Sequence, residues 1–516
     1  MSFLFWLIIT LPLPLAHNSR LTSAFAENRI TRFHMGVDFS TNHRDGIPVV
    51  AVEDGEVVRI KSSFFGLGKV LYVKGKSRNI YVYAHLERFR KDLERLVRSL
   101  QYKNKRFFLD HFPEQKPKVK KGEIIGYSGE SGAGPPHLHF EIRRNMDIAF
   151  NPAFYFNVNH NLKFKGVRLL SPLGIFDLRE EDTTKIPERF NILVKCSYFV
   201  HLKIVIDNDT VAVVELDSIP YSKNSLAQIF YLYEGGRYSD SYFRLTGYKD
   251  IIPPVVKKTI PEVKLATGVH RFTVIVMDLQ GREYFFNYSV KVERKGLIPT
   301  IPKDPLFTEY GVIFPDGSIF NQKTGTKDDI YILKIEKDKS TELVLPGLKL
   351  KFSEGSFPWD FWIGVKWKGD TVTLFPAYPP LVEPIQLTSS LGEIYARNGN
   401  KVSFLGIKEA KLKTLGKIFY ARDSLPPEVK LLHISQKKII FSLKDNLSGI
   451  LADSIKLYID GRWVPAEYDI DNNILTYSVL FSDLDPQLYK GKHDINLKIM
   501  DRAYNKTIFH RTIWLK

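Results

Sequence analysis

Gly134-Pro135-Pro136-His137-Leu138-His139-Phe140-Glu141 is the stretch from which the rest of the chain can be read. As a strand it has side-chain period two, so His137 and His139 share one face and Leu138 and Phe140 point the other way, into a core. Two imidazoles held side by side on a rigid strand are what a metal site with an adjacent acid/base group needs. A His-x-His pair on a polar sheet face is also common without that role. The reading therefore turns on what stands upstream.

His34-Met35-Gly36-Val37-Asp38 supplies an imidazole and a carboxylate at an even spacing, which places both on one face of a helix or of an extended strand. Gly36, Val37 and Phe39 favour the extended form. Tyr81-Val82-Tyr83-Ala84-His85-Leu86 ends another strand on a histidine. Separate segments thus carry His34, Asp38, His85, His137 and His139. A catalytic zinc site takes three N/O protein ligands and keeps one position open for water. These five groups supply three ligands and leave two imidazoles for proton handling. Cys196 is the single cysteine, so there is no disulfide framework, and any metal is held by histidine and carboxylate. The other histidines, His43 and His111 among them, form no comparable set.

A chain of 516 residues exceeds a single core and divides into three or four domains. Its 25 Tyr and 36 Phe, with frequent turn residues, lean towards β structure. Lys+Arg minus Asp+Glu is 74 − 57 = +17, which favours anionic surroundings. The charge is spread along the chain and no nucleic-acid motif accompanies it, so attraction to a cell wall or membrane surface is the better reading. Phe3 to Leu15 is apolar, too short to span a bilayer, and suits a signal-peptide core. Ala24-Phe25-Ala26 mimics a cleavage site, although cutting there removes part of the first domain. Residues 1–20 are accordingly expected to be a signal or anchor segment, and the protein to be exported.

From Leu21 to about Val158 short β-like runs alternate with Gly-bearing turns, including Ile47–Val52, Gly55–Ile60, Lys69–Lys74 and Asn79–His85. Between Glu87 and Tyr102 the period changes, with Phe89, Leu93, Leu96, Val97 and Leu100 on one helical face. Residues 87–117 read as an insertion, a packed decoration in preference to a gate over the site. Further on, Gly268–Asp278 echoes Gly491–Asp501, and the strand Lys203–Asp207 echoes Lys456–Asp460. Alternation ending in a polar turn is the pattern of a sandwich strand. Two Ig-like β-sandwich modules are expected, at 160–295 and 427–516, with a β-rich domain at 296–426 between them. His270 and His493 belong to the echo and read as structural. Trp359, Trp362 and Trp367 could offer stacking faces to sugars, but Trp359, Phe361, Ile363, Val365 and Trp367 alternate onto one face, as a core face does.

The order His-x-x-x-Asp, Tyr-x-His-Leu, Gly-rich loop and Pro-His-Leu-His-Phe-Glu resembles the lysostaphin/LytM-type zinc endopeptidases over about a quarter of the chain, Leu21 to Tyr155. Leu21–Ala26 looks like the family's opening strand, with Gly usual where Ala24 or Ala26 stands, and Val119–Gly129 like its turn before the final strand. Pro135 also stands where Gly is usual. The resemblance implies a mainly β fold: an antiparallel-sheet peptidase domain at 21–158 with a helical insertion, followed by Ig-like modules. It further implies one Zn²⁺ bound by His34, Asp38 and His139, with His85 and His137 as the unbound catalytic pair. His137 would be the general base, and His85 would stabilise the oxyanion or steer the water. The implied substrate is bacterial peptidoglycan, cut at peptide bonds, in the periplasm or associated with the cell envelope. The alternative is a catalytically silent wall-binding or regulatory protein on the same fold. Glu141 shares the strand face and is read either as support for a ligand or as a surface carboxylate. Tyr83, sharing the face of His85, is read as packing.

Overall fold

In the computed structural model, residues 11–16, 20–132, 134–156, 161–233, 241–398 and 401–515 are described. His137–Arg144 forms the strand that its alternation requires, with Leu138, Phe140 and Ile142 fully buried. It lies inside an antiparallel sheet ordered Leu21–Ser23, Val37–Ser40, His137–Arg144, Ile80–Ala84, Val70–Gly75, Gly55–Ser62 and Leu109–His111. Val37–Ser40 and Ile80–Ala84 flank the histidine strand, so three chemistry-bearing segments distant in sequence become neighbours. A smaller sheet of Pro48–Val50, Ile124–Ser128 and Leu86–Phe89 packs beside it.

The helix runs Lys91–Asn104 and not from Glu87, because the backbone of Leu86–Phe89 is paired with Gly126–Ser128 and Phe89 belongs to that strand. Its first turn carries Asp92 and Glu94, where acidic groups favour a helix N-terminus, and Lys105 closes it in the left-handed conformation. The helix is packed, as expected, and its partner is the C-terminal module. Tyr102 donates to Asp485 (2.7 Å), Arg95 forks onto Asp483 (2.5 and 3.0 Å), and Arg98 donates to the carbonyls of Pro465 and Ser478.

Residues 163–292 and 428–515 each form two antiparallel-rich sheets, and the intervening region forms a seven-, a four- and a three-stranded sheet. The echo in the sequence is an echo in structure. His270 bonds Asp207 (2.8 Å) and the Ala266 carbonyl (2.9 Å), and His493 bonds Asp460 (2.8 Å) and the Tyr489 carbonyl (2.9 Å). Both histidines pin a strand start to the neighbouring turn. Phe361, Ile363 and Val365 are core, but Trp367 at the strand end is 39% exposed and Trp362, from the other face, is buried. Trp359 precedes the strand and lies under the Arg244 guanidinium at 4.5 Å.

Two expectations about boundaries change. Residues 1–10 and 17–19 of the apolar leader lie outside the described residues, but Leu11 and Leu15 are buried in the first core. The Pro14 carbonyl accepts from Val50 N (2.8 Å), and Leu11 N donates to the Tyr155 carbonyl (2.9 Å). Residues 157–160, at the boundary expected between the first two domains, are also outside the described residues. One hydrophobic core nevertheless runs from Leu11 to Val292. Ser218–Pro220, from beyond that boundary, pairs with Ile148–Phe150 and widens the first sheet.

Phe140 anchors the histidine strand from below, with ring centroids 6.3, 5.2 and 5.5 Å from those of Phe39, Tyr83 and Phe156. Phe140→Ala should destabilise the first core by about 3–5 kcal/mol. Denaturant unfolding of the metal-free protein, read as a midpoint shift of the corresponding transition, checks this.

Candidate metal centre

Register sets the geometry. His139 pairs with Asp38 across one edge of its strand and with Ala84 across the other, and directly opposed residues share a face. His34 lies in the extended segment before Val37 and reaches the same point. Gly36 permits this approach. A Cβ there would stand 2.3 Å from the Phe140 carbonyl oxygen and 3.0 Å from His139 Cε1.

His34 Nε2, Asp38 Oδ1 and His139 Nδ1 converge. His34 Nε2 is 3.1 Å from Asp38 Oδ1 and 3.0 Å from His139 Nδ1, and His139 Nδ1 is 2.9 Å from Asp38 Oδ1. The opposite ring nitrogens are committed: His34 Nδ1–H donates to the Ala24 carbonyl (2.7 Å) and His139 Nε2–H to Glu141 Oε1 (2.9 Å). Those bonds fix both tautomers and aim a lone pair of each ring at the common point. Arg29 Nη2 holds the other oxygen of Asp38 at 2.9 Å. Ligands at about 2.0–2.1 Å around a tetrahedral ion lie roughly 3.3 Å apart, so this N, N, O set fits a divalent cation. Among the described residues it is one of two such groups. The other, Asp423, Asp445 and Asp501, caps turns: Asp423 accepts from Ser448 N, Asp445 from Gly449 N and Asp501 from Asn505 N.

Electrostatics shows the same demand for positive charge. Burial would raise the Asp38 carboxyl, but His34 and His139 outweigh it and hold it well below the usual range. Burial disfavours a charged His139, yet its bonds to Asp38 and Glu141 lift it to about 9. One proton can therefore take the central place, and a metal ion would bind there by displacing it. Glu141 is not a surface group but is 2% exposed. Burial alone would raise its carboxyl, but Arg143 and His139 hold it down at about 2. Arg143 Nε donates to Glu141 Oε2 (2.5 Å).

His85 and His137 stand beside this group and outside it. Their ring centroids are 4.6 Å apart, and His137 Nε2 is 3.7 Å from Asp38 Oδ1. His137 Nδ1–H donates to the Pro135 carbonyl (2.8 Å) and His85 Nδ1–H to the Ser131 carbonyl (2.9 Å), leaving both Nε2 atoms as acceptors. Burial lowers His85 to about 3, helped by His137 and His139, and burial also lowers His137, so both rings are neutral at neutral pH. His85 does not share a face with Tyr83. Tyr83 pairs with Phe140 and is core, and strict alternation would put His85 there too. A left-handed turn at His85 (φ 60°) swings its ring to the site. Gly68 makes room for the carbonyl that holds it, since a Cβ there would meet the Ser131 oxygen at 1.9 Å.

All five expected residues thus come together. The reading missed Arg29, Arg143 and the carbonyls of Ala24, Ser131 and Pro135. Arg143 continues the alternation His137, His139, Glu141 and was visible there; a backbone carbonyl leaves no mark in a sequence.

Part of the first domain matches known proteins in sequence. Residues 32–102, which contain His34, Asp38 and His85, match the model of Peptidase family M23, in line with the lysostaphin/LytM resemblance of the first domain. Over 146 residues the chain is 34% identical to an uncharacterized metalloprotease of Haemophilus influenzae, covering 27% of this chain and 26% of that protein. The chain thus spans about a quarter of the length of that curated relative. Among solved structures it is similar to the catalytic domain of the M23 protein EnpA from Enterococcus faecalis (24% identity, 27% of this chain and 88% of that one, TM-score 0.20). It is likewise similar to the catalytic domain of lysostaphin from Staphylococcus simulans (24%, 26% and 90%, TM-score 0.20).

Metal analysis after dialysis should find about one divalent ion per chain, since each N, N, O set takes a single ion. His34→Ala, Asp38→Ala and His139→Ala should each lose it. His85→Ala should keep it.

Proposed function

We propose that this M23-type domain is a zinc endopeptidase that hydrolyses peptide bonds in bacterial peptidoglycan. The observation that carries the reading is the pairing of two environments. A buried three-acceptor group calls for a cation, and two neutral imidazoles stand beside it with their Nε2 lone pairs available. A Zn²⁺ held by His34, Asp38 and His139 would polarise the scissile carbonyl and lower the pKa of its water towards about 7.

The protein's own groups handle the protons. His137 Nε2, 3.7 Å from Asp38 Oδ1, accepts the proton from the attacking water. As imidazolium it returns that proton to the departing amine. His85 is the orienting partner: with Nδ1–H committed to Ser131, its neutral Nε2 accepts a hydrogen bond and steers water in preference to stabilising an oxyanion. Arg29 keeps one Asp38 oxygen occupied, and Glu141 keeps the His139 ring from turning. The sequence resemblance and the net charge of +17 support an anionic cell-wall substrate. Such a substrate implies export to the periplasm or cell envelope. Any processing that preserves the site must spare Leu21–Ser23 and Ala24, since cleavage after Ala26 removes the edge strand and the carbonyl that orients His34.

Purified peptidoglycan digested with the protein should yield new amine termini, and chelation should stop the reaction. His137→Ala should retain the metal and lose about 10²–10⁴-fold in turnover. Binding to the wall without release of amines by the wild type would instead identify a silent binder.

A further inference from the structure

We infer that Tyr221, which belongs to the second module, is a positioning residue of the metal centre, acting on His139 through Glu141. Ser218–Pro220 is added to the first sheet beside Ile148–Phe150, which itself pairs with the end of the histidine strand. The next residue, Tyr221, is fixed by its own N–H, which donates to the Asp147 carbonyl at 2.7 Å. Its ring lies against the Arg143 guanidinium at 4.1 Å, and its hydroxyl donates to Glu141 Oε2 at 2.5 Å. Glu141 Oε1 takes the Nε2–H of His139. A line of hydrogen bonds therefore leads from the second module to the ring whose Nδ1 faces the metal position.

The same segment also backs the other histidine. Asn224 Oδ1 accepts from Phe33 N (2.7 Å), the residue before His34. The Phe33 ring packs against Phe230 and Tyr231, at 5.8 and 6.1 Å, and Tyr231 donates to the Ala26 carbonyl (2.7 Å). A metal-binding histidine is oriented, and made a better donor, by whatever holds its other ring nitrogen, and losing such a partner weakens metal binding. Without the Tyr221 hydroxyl, Oε2 of this buried carboxylate keeps only Arg143, and the oxygen pair that aims Oε1 at His139 loses one of its two anchors. If Tyr221 merely packs, a phenylalanine serves equally well, because its ring would cover Arg143 in the same way.

This rests on the metal-binding part of the proposed function. The test uses the full chain and Zn²⁺ in competition with a chromophoric chelator. Tyr221→Phe should weaken Zn²⁺ binding about 10- to 100-fold. In a Glu141→Gln background the same change should add less than about twofold, because its route is then already cut. Tyr248→Phe removes another buried hydroxyl of the same module, one bonded to the Arg244 carbonyl, and should leave Zn²⁺ affinity unchanged. Wild-type affinity in Tyr221→Phe overturns the inference, as does an undiminished loss in the Glu141→Gln background or an equal loss in Tyr248→Phe. Failure of the wild type to bind Zn²⁺ overturns the metal reading itself and is recognised in the first titration.

Discussion

Three acceptor atoms about 3 Å apart, His34 Nε2, Asp38 Oδ1 and His139 Nδ1, meet with their lone pairs turned towards one point, and only positive charge stabilises that arrangement. Much of the first domain serves to maintain it. The antiparallel register sets Asp38 opposite His139, Gly36 lets His34 approach closely, and aromatic packing around Phe140 anchors the strand. The cost of gathering acceptors in a buried place is offset by the hydrogen bonds that occupy the far side of each ring.

Environment separates histidines that chemistry alone would treat alike. His139 and His85 have ring centroids 5.8 Å apart, yet one is lifted to about 9 and the other lowered to about 3. Both are buried, and burial disfavours charge in each. Two carboxylates bonded to His139 reverse that effect; His85, bonded to a carbonyl, stays neutral. The difference leaves one ring in the charged centre and keeps the other neutral beside it.

Much of this was legible in the sequence because it depends on period. Alternation from His137 to Arg143 puts the polar groups on one face, and the even spacing of His34 and Asp38 survives in an extended chain. Period fails where backbone conformation departs from it. The left-handed His85 leaves the face of Tyr83, and Phe89 is taken from the helix by pairing with Gly126. Trp367 misleads for another reason, since it alternates correctly but sits where the strand has outrun its cover. Leu11 and Leu15 look like leader residues by composition, yet they fill the first core. Tyr221 carries no local signal at all, because its role depends on a strand from one module completing the sheet of another.

The first two modules are consequently one structural unit with a shared core, and the site at its upper face draws support from both. The central claim is that two imidazoles and one carboxylate converge on a single ion. X-ray absorption at the zinc edge of protein loaded with one equivalent of Zn²⁺ tests it most directly. The account predicts a first shell of nitrogen and oxygen at about 2.0–2.1 Å with outer-shell scattering from two imidazoles. A spectrum with no imidazole scattering, or with three or more imidazoles, would contradict it.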